Sequence, residues 1–101
     1  MRTIKFNVTN QTIAIDPSCD FSNFKREHDL TAKFEFSSDW DGFVRVAGFS
    51  RGGEKSVGRT LIHGSTCTIP KEMLKGSFFR LYVLGKKGEV TRKTQNFIVL
   101  L

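Results

Sequence analysis

The chain has 101 residues, the size of one compact domain with a single hydrophobic core over residues 1–101. Hydrophobic residues make up 39% of the chain, and no apolar run approaches the roughly 18 residues that a membrane-spanning helix needs. The first residues alternate polar and apolar side chains and lack the apolar stretch of a secretory signal. We therefore expect a soluble protein with no membrane partner and no sign of secretion.

The net charge of +6 is concentrated in the second half of the chain. Residues 1–41 carry five basic and seven acidic side chains, whereas residues 42–101 carry eleven basic and three acidic ones, a net charge of +8. This balance makes nucleic acid a partner worth weighing. The basic residues occur singly or in pairs, however, and a solvated surface on alternating strands accounts for them as well.

The first third of the chain predicts a hairpin, a long loop and a strand. Residues 4–8 and 12–15 alternate apolar and polar side chains across a short polar turn, which is the pattern of a hairpin with one buried face. Residues 16–29 show no sustained period and predict a long loop, or a loop with one helical turn. Residues 30–36 show the clearest one-face strand pattern in the sequence.

The middle of the chain predicts two more strands between polar turns. Residues 37–42 form a turn by composition, because their short polar side chains can bond the nearby backbone. Residues 43–49 have β character but carry apolar side chains on both faces, so either both faces are covered or a bulge shifts the register. Residues 51–54 supply the next turn, and residues 55–63 predict a strand.

The last third alternates short strands with turns. Residues 66–69 predict a strand, and residues 70–74 predict a helical turn because proline is accepted at its first position. Residues 77–84 form a long apolar run, which favours a central strand. Residues 85–88 predict a hairpin connection and residues 90–101 the last strand.

This pattern predicts an all-β fold. About eight short strands and one short helical turn follow one another at roughly 8–12-residue intervals, the spacing of a sandwich or a small barrel. Of the two, we expect a single antiparallel β-sandwich.

The titratable residues offer no motif for catalysis or for metal binding. His28 lies in a polar stretch that favours a solvated side chain, and His63 could meet Cys67 across a turn but lacks a third group to orient it. Asp39 and Asp41 suit turn bonding better than acid–base chemistry. We therefore expect no enzyme, no metal and no cofactor.

The two cysteines, Cys19 and Cys67, lack the spacing of a zinc site or a redox motif. A chain of this length can bury a sufficient core without a disulfide. We expect free buried thiols, with a bridge between the two as the alternative.

Two aromatic residues could serve either the core or a partner. Phe43 lies in a segment weakly similar to an RNA-binding strand, in which exposed aromatic rings stack on bases. That motif has a basic residue before the glycine, whereas here Asp41 precedes Gly42, so a core role is favoured for Phe43. Trp40 is the only tryptophan and stands at a turn, where it either closes the end of the sandwich or anchors a partner. Closing the sandwich is the favoured role.

Two segments resemble small β-domains encoded by bacteriophages of Gram-positive bacteria. The first runs from residue 34 to residue 49 and has an aromatic-x-Phe-Ser-x-x-Trp strand end followed by a basic-x-Ala-x-Phe strand. The second runs from residue 67 to residue 84 and has a Cys-x-Ile-Pro-x-Glu-x-Leu turn before a glycine and an aromatic strand. The resemblance implies an immunoglobulin-like sandwich in head fibres, tails or baseplates, with fold-defining roles for Phe36, Trp40, Phe49 and Pro70.

The resemblance also implies a partner and a location. We expect a non-enzymatic structural or binding module, located in the virion or the host cytoplasm, whose partners are other virion proteins or a host protein. The alternative is a small intracellular phage protein that binds a host protein or nucleic acid through its basic face, with an affinity that falls with salt. The uncharged residues 97–101 favour a homo-oligomer as a further hypothesis.

Six residues are the candidates for partner binding. They combine the tryptophan with basic side chains of the central and last strands: Trp40, Arg45, Arg59, Arg80, Arg92 and Lys93. If nucleic acid is the partner, replacing Arg45, Arg59 and Arg80 by glutamate should abolish binding. The sequence does not show which of these side chains point outward, because both faces of the strand that carries Arg45 are apolar.

Overall fold

The computed structural model describes residues 2–17, 30–51, 57–74 and 77–100. The loop predicted at residues 16–29 lies outside them from residue 18 onward, as do Cys19, His28 and most of the turn at residues 51–54. The described residues form nine strands: β1 Arg2–Thr9, β2 Thr12–Ile15, β3 Leu30–Phe36, β4 Val44–Ser50, β5 Val57–Leu61, β6 Thr66–Ile69, β7 Phe78–Lys87, β8 Val90–Lys93 and β9 Phe97–Leu100. The fold is therefore mostly β.

The strands form two sheets. One sheet has four strands in the order β2-β1-β3-β6, and the other has five, in the order β5-β4-β7-β8 with β9 also paired to β7. The prediction of an antiparallel fold is wrong at one place, because β1 and β3 are parallel. Parallel neighbours need a long connection, and here the chain passes through β2 and residues 16–29 before β3 begins.

Several predicted elements are confirmed. β1 and β2 form the opening hairpin, and β3 and β6 occupy the predicted residues. Two short 3₁₀ turns, Ser38–Trp40 and Lys71–Leu74, stand where a polar turn and a helical turn are predicted. β7 is central, since it pairs with β4 along one edge and with β8 and β9 along the other.

The prediction for the end of the chain is wrong in two details. β7 continues through Lys87, so the hairpin turn lies at Gly88 and Glu89 instead of residues 85–88. The predicted last strand is divided in two, which raises the count from eight to nine. Lys93 pairs with Leu84 and Phe97 with Leu81, so three residues of the last strand face two residues of β7, which is the signature of a bulge.

Hydrogen bonds of Thr94 and Gln95, from the backbone and from the side chains, stabilise this bulge. The Thr94 amide donates to the carbonyl of Val83 (3.0 Å), and the Thr94 hydroxyl accepts from the Val83 amide (2.9 Å). The Gln95 side chain accepts from the amide of Ile13 (3.2 Å) and donates to its carbonyl (3.3 Å). The bulge thereby keeps the backbone of β7 bonded and ties the five-stranded sheet to β2 of the other sheet.

One hydrophobic cluster contains the buried side chains of both sheets. The rings of Phe6 and Phe97 meet across it with their centroids 5.9 Å apart, and Phe6 also stacks on Phe34 at 5.6 Å. The two sheets therefore have a sandwich-like arrangement in which each has an inner face on the core and an outer face.

The sequence of β4 left two alternatives, a bulge or a strand covered on both faces, and the structure shows neither. Its pairing with β5 and β7 proceeds without a break in register, so it has no bulge. Ala47 and Phe49 are buried in the core, but on the outer face Val44 is 63% exposed. The strand is thus apolar on both faces, with its inner face covered by the core and its outer face covered only in part, at Val46 and Gly48.

Candidate partner-binding surface

The six candidate residues fall into two groups at different places in the fold. Strand register and contacts place Trp40, Arg45 and Arg92 at one end of the sandwich-like fold, on the inner side of the five-stranded sheet. The same criteria place Arg59, Arg80 and Lys93 on the outer face of that sheet. The structure therefore brings three of the basic candidates onto one exposed surface.

Trp40 closes the end of the core. Its side chain is completely buried, and its indole N–H donates to the carbonyl of Asn10 (2.8 Å). Its ring centroid lies 5.5 Å from that of Phe36 and 5.6 Å from that of Phe43. Of the two roles considered for Trp40, burial favours closing the core over anchoring a partner.

Arg45 and Arg92 contact backbone carbonyls and aromatic rings around Trp40. Arg45 donates to the carbonyl of Trp40 (2.8 Å), and its guanidinium lies 4.2 Å from the centroid of the Phe36 ring. Arg92 donates to the backbone carbonyl of Asp39, and its guanidinium lies 4.8 Å from the centroid of the Phe43 ring. These internal contacts orient both guanidinium groups toward the end of the fold.

We name the outer surface of the five-stranded sheet the cationic-apolar face. Residues that pair across neighbouring strands point to the same face of a sheet, so the strand register defines which residues belong to it. Its side chains are Val44, Val46, Arg59, Leu61, Phe78, Arg80, Tyr82, Leu84, Lys86, Lys93, Ile98 and Leu100, together with Gly48, Ser50 and Thr91. Among the described residues of this face there is no carboxylate.

Apolar residues occupy the centre of this face. Leu61, Val46 and Leu84 form a row across β5, β4 and β7, and Tyr82 lies in the next row on β7. A second apolar group, Phe78, Ile98 and Leu100, lies beyond Arg80 on β7 and β9. Several of these side chains are open to solvent, with Leu61 45%, Ile98 50% and Leu100 73% exposed.

Four cations surround the central apolar group. Arg59 lies at the β5 edge and Lys93 at the β8 edge. Lys86 and Arg80 lie on β7, two residues from Leu84 and from Tyr82 respectively. An apolar centre within a polar rim is the usual arrangement of a protein interface.

Tyr82 lies flat on the sheet because its cross-strand neighbour is Gly48. A Cβ atom at position 48 would come within 2.1 Å of the Tyr82 ring, so the ring occupies the space of the missing side chain. The Lys93 ammonium lies over the same ring, 4.5 Å from its centroid. The glycine backbone and Lys93 therefore fix the ring in place.

The outer face of the four-stranded sheet differs in chemistry. Its positions carry mostly threonine with charges of both signs: Thr3, Lys5, Asn7, Thr12, Ala14, Thr31, Lys33, Glu35, Thr66 and Thr68. Lys5, Lys33, Glu35 and Asp16 line a shallow pocket of about 140 Å³ on this side. Cations and carboxylates are thus balanced there.

The pair of His63 and Cys67 lines a groove of about 390 Å³ beside the turn that joins β5 to β6. Cys67 carries a free, buried thiol, so the alternative of a bridge to Cys19 is not realised. Burial raises the pKa of this thiol to about 12, which keeps it protonated and a poor nucleophile at neutral pH. Within the described residues no three His, Cys, Asp or Glu side chains could hold a metal ion.

Sequence reasoning found three of the four cations of the cationic-apolar face, Arg59, Arg80 and Lys93, but missed Lys86 and the apolar centre. Val46 and Leu84 lie in apolar segments that a sequence assigns to the core, since each stands next to a buried residue, Ala47 or Val83. The signal was present in residues 43–49, whose two apolar faces exceed what one core can bury.

Comparisons with protein-family models, with curated proteins and with solved structures found no match. In the described part of the chain, no helix is long and apolar enough to span a membrane.

Proposed function

We propose that this chain is a non-enzymatic binding module of a phage particle that acts through protein–protein contacts on its cationic-apolar face. The observation that carries this proposal is an apolar centre within a rim of cations, in which Leu61 is exposed and Val46, Tyr82 and Leu84 are half-buried. Exposed apolar residues gathered in one patch typically mark an interaction surface. The apolar side chains here are not needed to cover the core, because the inner face of the same sheet already does so.

The virion setting rests on the resemblance of residues 34–49 and 67–84 to phage β-domains. The burial of Trp40 and Phe49 agrees with the fold-defining roles that the resemblance implies for them. An immunoglobulin-like topology is part of this proposal, and the two-sheet arrangement supports it as far as the described strands extend. Small virion modules of this kind act by contact and require no cofactor.

The first test is quantitative mass spectrometry of purified particles and of the infected-cell lysate. We expect this chain in the particle at a fixed ratio to the major capsid protein. Absence from particles, with abundance in the lysate, would overturn the virion role and favour the intracellular binder of a host protein or nucleic acid.

A matched pair of variants tests the surface. Leu61→Glu places a carboxylate at an exposed edge position of the cationic-apolar face, and Ala14→Glu places one at an exposed edge position of the opposite face. We expect Leu61→Glu to lower incorporation into particles and Ala14→Glu to leave it unchanged. Equal incorporation of both variants would contradict a contact through this face.

A further inference from the structure

We infer that the partner of the cationic-apolar face is a protein surface with apolar side chains at its centre and Asp or Glu residues around them. This inference rests on the proposed function, since it specifies the partner of the same surface.

The charges of the face have one sign. Arg59, Lys86 and Lys93 are cationic, and the described residues of this face provide no carboxylate to neutralise them. Complementary potentials steer association and exclude partners of like charge. A partner therefore needs carboxylates opposite these three positions.

A second copy of the chain does not meet this requirement. Two copies packed on this face by a two-fold axis would present the same patch to each other. Every charged side chain described on this face is a cation, so a second copy would add cations and no carboxylate to pair with them, and like charges across an interface cost several kcal/mol. The homo-oligomer hypothesis consequently finds no support on this face.

Single-stranded nucleic acid is also disfavoured by the geometry. Such ligands stack their bases on open aromatic rings. The aromatic ring at the centre of this patch, Tyr82, lies against Gly48 and carries Lys93 over it. Its central neighbours Val46, Leu61 and Leu84 are aliphatic, which suits apolar side chains of a protein better than bases.

The spacing of the cations defines the size of the partner's patch. Arg59 and Lys93 lie on strands three intervals apart, a backbone distance of about 15 Å. Along β7, the apolar centre and Lys86 extend over residues 82–86, four positions or about 13 Å. A short segment or a single secondary-structure element of the partner can cover this footprint.

The test is a selection of short random peptides displayed on yeast for binding to the full chain. We expect the enriched peptides to combine apolar residues with an excess of Asp and Glu. Their affinity should fall about tenfold for the double variant Lys86→Glu/Lys93→Glu, because two favourable pairs become repulsive. The matched control, Lys5→Glu/Lys33→Glu, makes the same charge change at exposed positions of the opposite face and should bind like the parent.

Other outcomes would overturn the inference. The selection could enrich no peptides, or peptides without an excess of Asp and Glu, or both double variants could lose the same affinity for the peptides. The chain could also bind an oligothymidylate more tightly than the peptides, or it could self-associate in a way that Lys86→Glu/Lys93→Glu abolishes. Circular dichroism verifies that the variants fold, and Lys86→Glu alone repeats the test without removing the contact between Lys93 and the Tyr82 ring. Particle incorporation is scored separately, so a chain found in particles that selects no acidic peptides would refute this inference and leave the proposed function standing.

Discussion

The two outer faces of this fold cover the same core and yet have opposite surface chemistry. On the four-stranded sheet, threonines alternate with lysine and glutamate, and charges of both signs line a shallow polar pocket. On the five-stranded sheet, apolar side chains occupy the centre and cations stand around them. Threonine is a strong strand former, so the polar face satisfies β propensity without offering an apolar patch to other molecules.

The difference between the two outer faces is not a requirement of folding. The inner faces of both sheets supply one continuous core, so neither outer face has to be apolar for the chain to fold. An exposed apolar face carries a risk of aggregation, which the polar face avoids. The proposed contact with a partner accounts for this contrast between an apolar face on one sheet and a polar face on the other.

The largest expected effect comes from removing the side chain that holds both sheets. Trp40 contacts Phe36 of the four-stranded sheet and Phe43 beside the five-stranded sheet. Because it is completely buried, Trp40→Ala should lower the free energy of unfolding by about 3–5 kcal/mol. Urea unfolding followed by circular dichroism measures the loss.

Trp40→Phe is the control for this substitution. It keeps an aromatic ring at the end of the core but removes the indole N–H that donates to Asn10, and we expect a smaller loss. A loss below about 1 kcal/mol for Trp40→Ala would show that the core does not depend on this residue.

The second prediction disturbs the cationic-apolar face alone. Gly48→Ala places a Cβ atom where the Tyr82 ring lies, so the ring must move or the strands must separate. We expect a loss of about 1–3 kcal/mol in the free energy of unfolding, with the four-stranded sheet unaffected in amide NMR spectra. In a Tyr82→Ala background the same change should cost much less, and equal costs in both backgrounds would contradict the packing of the ring on Gly48.

The third prediction compares two valines on opposite sides of the five-stranded sheet. Val44 is 63% exposed on the outer face, whereas Val83 is completely buried on the inner face. Val44→Thr should change the free energy of unfolding by no more than about 0.5 kcal/mol, and Val83→Thr should lower it by about 1–3 kcal/mol. A comparable loss at both positions, measured by urea unfolding, would mean that the outer apolar residues serve stability.

Local sequence patterns predicted most strands because a half-buried strand alternates with period two. Residues 4–8 and 30–36 alternate clearly, and they form β1 and β3 with the predicted side buried. Their parallel pairing depends on how the long connection returns the chain, which no local pattern contains. The bulge at Thr94 was missed for a similar reason, since its hydrogen bonds to Val83 and Gln95's bonds to Ile13 involve distant residues.

The candidate surface was predictable in part. Basic residues are visible in a sequence, but their direction depends on register. Arg45 and Arg80 both stand in apolar strands, and only pairing shows that Arg45 turns inward to Phe36 while Arg80 faces outward. The apolar centre could not be distinguished from core by composition, because a strand buried on both faces has the same pattern.

The smallest expected effect concerns the turn that joins the two sheets and lies on neither outer face. The Ser37 hydroxyl donates to the Asp39 carboxylate and lowers the pKa of that carboxyl below its ordinary value of 3.8, and Arg92 adds to the effect. A carboxyl with a lowered pKa in the folded state stabilises the fold above its unfolded pKa, and this contribution is lost as the pH falls through the folded pKa. Carbon-13 NMR titration should place the midpoint of Asp39 below 3.8. Ser37→Ala should raise it while the cationic-apolar face keeps its chemical shifts, and a midpoint that does not move would show that the hydroxyl is not its cause.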